Sequence, residues 1–386
     1  KEIIKTLKEE KQDISIGTEF HLNKYANSRL LLIPVYKESE CFLAEEMQPQ
    51  KYPINKDDFD LAKSMFNYIG EKVALTKYEC DVRVLTKVKE AFESSDKYFD
   101  FSETRSISEP DLLLDRVFSY YNIKTREFDQ FKRLENEIVH FKKVRFIDGN
   151  RYNELMETIQ RVRNYQNKEE EEKRIDKEFE KTKDVKKYKK AIEQLTLNFI
   201  SEAKFENLKI KFIQNHYYIP LILSKDDRIK YINHIINVES EVRFIQELEK
   251  YLEKENNVFN RFDWWMFSKL DQSLDEVYIP YYNSNENTIS KFKPDFIFWM
   301  QKRSNYTILF LDPKGTEHTD AYRKIDGYSR LFETLDRQDL KEYDFNGLKI
   351  KIKLLMKSRK SVADVPNEYK KYWFDNFTDF AAKLIN

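Results

Sequence analysis

The chain has 386 residues, and its 68 Lys and Arg residues equal its 68 Asp and Glu residues in number, so its formal net charge is zero. That length allows two or three domains, and the charge balance excludes binding to nucleic acid through a global basic field, but not through a local patch. Aromatic residues make up 15% of the chain, which favours packed cores over disorder. No apolar run approaches the ~20 residues of a membrane span, so we expect a cytoplasmic protein without a membrane partner.

Residues 1–110 mix strand-like with helix-like sequence. The apolar run 29–36 predicts a strand, and the spacing of apolar residues in 59–69 predicts a helix. We therefore interpret 1–110 as a mixed α/β N-terminal segment. Because the chain begins with Lys1 rather than Met, we expect it to be the C-terminal part of a longer polypeptide.

Residues 111–205 have a mainly helical pattern and are interpreted as a spacer. Within them, 167–190 is almost entirely charged. Such a run is typical of a solvated helical arm or an exposed hairpin. The alternative is that this arm contacts DNA or a partner subunit.

Residues 206–386 predict an α/β (α+β) domain in which helices flank a mixed sheet. The predicted elements are a helix at 238–254, strands near 262–268 and 277–282, a strand hairpin, a helix at 319–335, a strand at 348–356 and a closing helix at 367–385. In 348–356, isoleucines alternate with lysines, which indicates a strand with one wet face. We interpret it as an edge strand, where lysines commonly prevent aggregation. The alternative is that Lys349, Lys351 and Lys353 face DNA.

The hairpin carries the most informative motif. Two apolar runs, 296–300 and 308–311, read as buried strands, and 301–305 is a polar connection of hairpin-loop length. If Gln301 pairs with Tyr306, the same antiparallel register pairs Asp295 with Asp312. Side chains alternate along a strand, so Lys314 shares a face with Asp312 if the strand continues that far. A slip of one residue would reverse these faces.

Two neighbouring carboxylates beside a lysine favour a divalent-metal site. Magnesium takes oxygen ligands and commonly needs only one or two carboxylates plus phosphate and water. The metal polarises a phosphodiester and lowers the pKa of a bound water, while an ammonium group stabilises developing charge. The alternative is structural, because Pro313 and Gly315 are also typical of a strand that leaves a sheet into a turn.

Pro294-Asp295 followed by Asp312-x-Lys314 resembles the signature of the PD-(D/E)xK nuclease superfamily. The neighbouring sequence resembles more specifically the nuclease domain of type III restriction enzymes, which lies in the C-terminal part of the restriction subunit. This likeness runs from His216 to the end of the chain and is only general upstream. It is carried by the segments 262–269, 277–282, 292–299 and 311–320.

The resemblance implies a PD-(D/E)xK endonuclease domain at 206–386 that cleaves double-stranded DNA with Mg²⁺. It implies that Asp295 and Asp312 bind the metal, that the Pro313 carbonyl adds a ligand and that Lys314 activates or orients the water. Sequence recognition in the family belongs to a separate modification (methyltransferase) subunit. The family also carries an ATP-driven motor, but this sequence has no Gly-rich loop ending in Gly-Lys-Ser/Thr. We therefore do not expect ATP hydrolysis from this chain, and 1–110 would be a truncated region next to the motor.

In this superfamily, a helix before the core often supplies a glutamate to the metal. Glu241 extends the apolar stripe of the helix at 238–254, so it faces the core. A carboxylate there needs a partner, because an unpaired buried charge is costly. The alternative to a metal is a salt bridge to a lysine at the edge of the core, and Glu239 is the candidate if the helix is rotated.

Basic residues near the motif are candidates for contacts with DNA phosphates. Thr319 is a plausible helix N-cap, which places Arg323 and Lys324 beside the site, and Lys291 and Lys293 flank Asp295. A solvated surface is the alternative for each of them, and His318 is interpreted as a polar loop residue.

Two other functions compete with the endonuclease of a restriction system. One is a non-catalytic interaction module that docks the modification subunit or DNA. The other is a nuclease of the same superfamily that serves recombination or repair.

Overall fold

The computed structural model describes residues 14–16, 19–42, 51–107, 109–146, 151–226, 228–229, 231–313, 320–358 and 365–385. The buried apolar residues form two hydrophobic cores. The smaller core lies within residues 54–121, and the larger one draws on residues 16–33 and on 131 to the last helix. No helix in the described ranges is long and apolar enough to cross a membrane.

The N-terminal part combines short strands with a cluster of helices around the smaller core. Asp81 starts one of these helices by accepting hydrogen bonds from the N–H groups of Arg83 and Val84. The elements are β1 (Ile14–Ser15), β2 (His21–Leu22), α1 (Lys24–Asn27), β3 (Leu32–Phe42), β4 (Tyr52–Pro53), α2 (Lys56–Ile69), α3 (Glu71–Lys77), α4 (Val82–Glu93), α5 (Ser95–Tyr98), β5 (Phe99–Asp100) and α6 (Pro110–Tyr121).

The middle of the chain first contributes residues to the larger core and then forms a helical hairpin. Its first strand, β6, pairs antiparallel with β3. The elements are β6 (Lys124–Arg133), a 3₁₀ turn (His140–Lys143), β7 (Arg145–Phe146), α7 (Tyr152–Asn164), a 3₁₀ turn (Tyr165–Asn167), α8 (Lys168–Thr182) and α9 (Val185–Asn198).

The rest of the chain forms a three-stranded sheet, a strand hairpin and the central sheet. The elements are β8 (Glu202–Phe205), β9 (Leu208–Lys211), β10 (Tyr218–Ile219), β11 (Leu221–Ser224), β12 (Ile232–Asn233), α10 (Glu239–Leu252), a 3₁₀ turn (Val258–Arg261), β13 (Trp264–Lys269), β14 (Ile279–Asn283), β15 (Thr288–Phe292), β16 (Phe296–Lys302), β17 (Asn305–Asp312), α11 (Asp320–Phe332), β18 (Tyr343–Phe345), β19 (Leu348–Lys357), a 3₁₀ turn (Asn367–Tyr372), β20 (Trp373–Phe374) and α12 (Phe377–Ile385).

The central sheet is mixed and has the strand order β13-β16-β17-β19-β18, with β20 also paired to β19. β16 is antiparallel to both β13 and β17, whereas β17 and β19 are parallel. Gln301 lies opposite Tyr306, and Phe296 lies opposite Leu311. The predicted hairpin register is therefore confirmed. The connection is shorter than predicted, because Lys302 still pairs with Asn305 and only residues 303–304 turn.

Two predicted elements were wrong in part. The strand at 348–356 is β19, which lies between β17 and the pair β18 and β20, so it is an interior strand and not an edge. The predicted solvent-exposed face of this strand is confirmed, since Lys349 and Lys351 are exposed and pair with Glu342. The closing helix begins at Phe377 rather than 367, because Trp373 and Phe374 pair with the end of β19 and are fully buried there.

Candidate functional site

Helix α10 presents Glu241 to the interior of the molecule. Its apolar stripe of Val242, Ile245 and Leu248 is buried, and Glu241, in the first turn, is only 6% exposed. Glu239 has a side chain that is 78% exposed and pairs with Arg243 at 2.5 Å. Of the two candidate glutamates, the structure therefore brings Glu241 to the core.

Lys269, the last residue of β13, lies between Glu241 and Asp295. Its Nζ is 3.1 Å from a Glu241 carboxylate oxygen and 3.7 Å from a carboxylate oxygen of Asp295, and it also donates to the Leu270 carbonyl at 2.5 Å. All three charged side chains are buried. We call Glu241, Lys269 and Asp295 the acid–lysine cluster. The salt bridge between Glu241 and a lysine at the edge of the core is thereby confirmed.

The acid–lysine cluster contains two carboxyl groups and one ammonium group. Burial raises the pKa of Glu241 to about 7, Lys269 opposes this shift, and repulsion from Asp295 adds to it. Burial alone would lower the pKa of Lys269, but Asp295 and Glu241 outweigh that effect and raise it. One lysine thus neutralises only one of two buried acids, and Glu241 is partly protonated near neutral pH unless a second cation is present.

A backbone hydrogen bond and a loop organised by the buried Asp275 hold Asp295 in place. The Asp295 carbonyl accepts a hydrogen bond from the Leu270 N–H at 2.8 Å, and Gln272 Nε2 donates to its carboxylate at 3.4 Å. Asp275 organises the loop that carries Gln272 by accepting the Asp271 N–H at 2.9 Å and pairing with His140 Nδ1 at 2.6 Å. The loop therefore aims one amide donor at the cluster.

His216 lies beside β13, where it forms a parallel β-bridge with Phe267, and it contacts the backbone of Lys269. The Lys269 N–H donates to His216 Nε2 at 3.1 Å, and His216 Nδ1 donates to the Tyr218 carbonyl at 2.7 Å. Burial lowers the pKa of His216 to about 3, with a small opposing contribution from the Tyr218 backbone. The ring is therefore neutral, and because Nε2 accepts the Lys269 N–H, the proton of the neutral ring lies on Nδ1. A neutral ring adds no further positive charge to the cluster.

Asp312 ends β17 at the same end of the hairpin as Asp295 and is fully buried, with Met356 of β19 on its other side. In the described part of the chain, no three His, Cys, Asp or Glu side chains meet closely enough to hold a metal ion by themselves. The structure thus joins Glu241 and Asp295 and places Asp312 on the neighbouring strand. Pro313 follows as a buried residue, while Lys314, His318 and Thr319 lie outside the described residues.

The four candidate DNA contacts lie on or next to β15 and α11, where Lys291 is exposed and the other three are half-buried. Lys291 and Lys293 approach the Glu276 carboxylate at 3.0 and 3.6 Å. Lys324 Nζ lies 5.2 Å from the ring centre of Phe292, and Arg323 lines a cavity of about 580 Å³ beside α11. Their role in DNA binding stays a prediction.

Sequence reasoning missed Lys269, Gln272 and His216. The sequence indicated Lys269 only weakly, because it is a charged residue directly after the uncharged segment 264–268. That signal did not identify its partners, because the β14–β15 hairpin separates β13 from β16 in sequence and leaves their register open.

A family model described as the YagJ family matches residues 232–368. The matched range is about a third of the chain and contains the acid–lysine cluster and Asp312, but not the hairpin of α8 and α9. Neither a curated protein nor a solved structure matches the chain. The part of this chain that is similar to the YagJ family is therefore the part that builds the candidate site.

Proposed function

We propose that this chain is a magnesium-dependent DNA endonuclease and serves as the nuclease part of a type III restriction enzyme's restriction subunit. The observation that carries the proposal is the acid–lysine cluster, in which two buried carboxyl groups share one ammonium group. Buried ionisable groups with such an imbalance favour a functional site over a purely structural ion pair.

The chemistry of the donor set fits a magnesium ion. Glu241, Asp295 and Asp312 offer hard carboxylate oxygens, and a divalent cation would supply the positive charge that the single lysine does not. Two carboxylates suffice for magnesium when phosphate and water complete its shell. The absence of a three-residue cluster among the described residues is therefore compatible with the proposal.

The order of elements around the site supports the proposal as well. Along the chain, a helix bearing the glutamate precedes three antiparallel strands, a second helix and a parallel strand, namely α10, β13, β16, β17, α11 and β19. The β14–β15 hairpin is inserted between β13 and β16, and β18 lies between α11 and β19. This is the arrangement expected from the resemblance of the Asp295 and Asp312 motif to PD-(D/E)xK nucleases. The site lies where Asp312 ends β17 and Asp295 precedes β16.

Each residue has a defined task in the proposed reaction. Glu241, Asp295 and Asp312 would hold the metal, the Pro313 carbonyl would add a ligand, and Lys269 holds the first two carboxylates in place. Bound magnesium would polarise the phosphodiester and lower the pKa of the attacking water. Lys314 orients that water and stabilises the charge that develops on the phosphate. Double-stranded DNA is the substrate, and a modification subunit supplies the sequence recognition.

Cleavage of supercoiled plasmid tests this proposal. We expect nicking or linearisation with Mg²⁺ or Mn²⁺, and loss of both with chelator or in Asp312→Ala. Glu286→Gln is the matched control, because this exposed acid lies on the tip of the β14–β15 hairpin and should cleave like the wild type. Cleavage that survives in Asp312→Ala would contradict the assignment. The absence of both cleavage and metal binding would favour an interaction module instead.

A further inference from the structure

Almost all residues of the hairpin of α8 and α9 are exposed or half-buried. α8 buries none of its residues, and α9 buries only Leu195 near its C-terminal end. At the base, Lys24 Nζ pairs with Glu170 at 2.7 Å. Helices of 15 and 14 residues extend for about 20 Å at ~1.5 Å per residue. The turn at residues 183–184 therefore lies at the far end of a projecting arm.

Charge is distributed unevenly along this arm. Four consecutive glutamates, 169–172, lie near the base, whereas residues 181–190 contain six lysines and a single aspartate. All six lysines are exposed. We call residues 181–190 the basic tip. In a chain with a net charge of zero, it is a strong local concentration of positive charge.

The arm neutralises little of this charge itself. In the described structure, only Lys187 of the six tip lysines has a carboxylate within ion-pair distance, namely Glu178 at 2.6 Å. Phe179 and Tyr188 join the two helices, with ring centres 4.6 Å apart, and Tyr188 donates to Asp176 at 3.0 Å. Lys187 and Tyr188 thus belong to the contact between the helices.

The remaining lysines of α9 form an outward strip. Lys186, Lys189 and Lys190 are separated by three and four residues, which places them next to one another on one helical face. Neighbouring like charges at these spacings destabilise a helix slightly. A polyanion that crosses this face would relieve the repulsion and release its own condensed counterions.

We propose that the basic tip binds the phosphate backbone of duplex DNA without sequence preference. The choice of DNA as the polyanion rests on the proposed endonuclease function, but the charge pattern of the tip is independent of the acid–lysine cluster. Contacts of lysines with phosphates position a protein on DNA and do not read bases. The arm would therefore hold the duplex while a separate subunit recognises the site.

The test compares two triple variants of the full chain in the presence of a chelator, so that cleavage plays no part. Lys186→Ala/Lys189→Ala/Lys190→Ala removes the outward strip, and alanine preserves the helix. The matched control is Lys72→Ala/Lys77→Ala/Lys89→Ala, which removes three exposed lysines from α3 and α4. Binding to a labelled duplex is measured by fluorescence anisotropy over a series of salt concentrations.

We expect the tip variant to bind DNA about tenfold more weakly at low salt, and its salt slope to fall by up to about 2.7, since each phosphate contact contributes about 0.9. The control should bind like the wild type, and both variants should keep the wild-type circular dichroism. Equal binding by the tip variant and the wild type would overturn the proposal, whether or not the chain cleaves DNA. Competition by poly-glutamate as strong as that by DNA would also overturn it and indicate an acidic protein partner.

Discussion

The acid–lysine cluster and the basic tip are both rich in charge, but they differ in their access to water. In the cluster, the three charged side chains are at most 9% exposed and each lies close to another. In the basic tip, all six lysines are exposed, and most have no described carboxylate nearby. Buried charges must be compensated within the protein, whereas exposed charges are compensated by water and salt.

Because of this difference in burial, the charges of the two regions favour different partners. A carboxylate in the core that its neighbours neutralise incompletely favours binding of a small cation. Uncompensated lysines on a projecting arm favour a large polyanion, whose binding releases counterions. The burial of the charges therefore decides which kind of partner each region fits.

The largest expected effect comes from removing the cation of the cluster. We expect Lys269→Met to lower the free energy of unfolding by about 3–5 kcal/mol, because it leaves two buried carboxyl groups without their counter-ion. Chemical denaturation at neutral pH measures this change. Lys187→Met in the arm is the matched control, because it also breaks a lysine–glutamate pair, but an exposed one, and it should not change stability measurably. If both substitutions changed the free energy of unfolding equally, the buried lysine would contribute no more to stability than the exposed one, which would contradict this comparison.

A smaller effect is expected from one added methyl group on α11. A Cβ at Gly327 would lie 2.5 Å from the Tyr281 Cβ and 2.7 Å from the Pro280 carbonyl oxygen of β14. We expect Gly327→Ala to destabilise the protein by about 2 kcal/mol, since this overpacking exceeds the gain in helix propensity. Thr196→Ala, at an exposed position of α9, should be neutral or slightly stabilising. Thermal unfolding of both variants compares helix packing in the two regions. A Gly327→Ala protein as stable as the wild type would show that α11 does not pack closely against β14.

The smallest effect concerns pH and His216, the buried histidine that contacts the Lys269 backbone. In the unfolded chain, His216 takes up a proton below about pH 6.5, whereas its folded pKa is about 3. The unfolded state therefore binds one more proton, and stability falls as the pH falls. Between pH 6.5 and 5, this group alone should remove about 1.5 kcal/mol.

The measurement is the pH dependence of urea unfolding in the wild type and in His216→Gln. The variant should lose that part of the slope even if its absolute stability is lower. An unchanged slope would mean that His216 becomes protonated in the folded protein.

Local sequence rules predicted much of the site but not its charge balance. The hairpin register followed from strand alternation and a short connection, and Glu241 followed from the helical stripe. Lys269 was missed because its contacts depend on the pairing of β13 with β16, across an inserted hairpin. The closing helix was placed too early because Trp373 and Phe374 fit a helical pattern, yet pairing with β19 decides their structure.

The most direct test of the central claim is calorimetric titration of the chain with Mn²⁺ or Mg²⁺ in the absence of DNA. The claim is that Glu241 and Asp295 form a divalent-metal site. We expect saturable binding by the wild type and at least about tenfold weaker binding by Asp295→Asn, because one of the three proposed carboxylate ligands, Glu241, Asp295 and Asp312, is lost. Glu286→Gln should bind like the wild type. Equal binding by Asp295→Asn and the wild type, or no binding by the wild type, would contradict the claim.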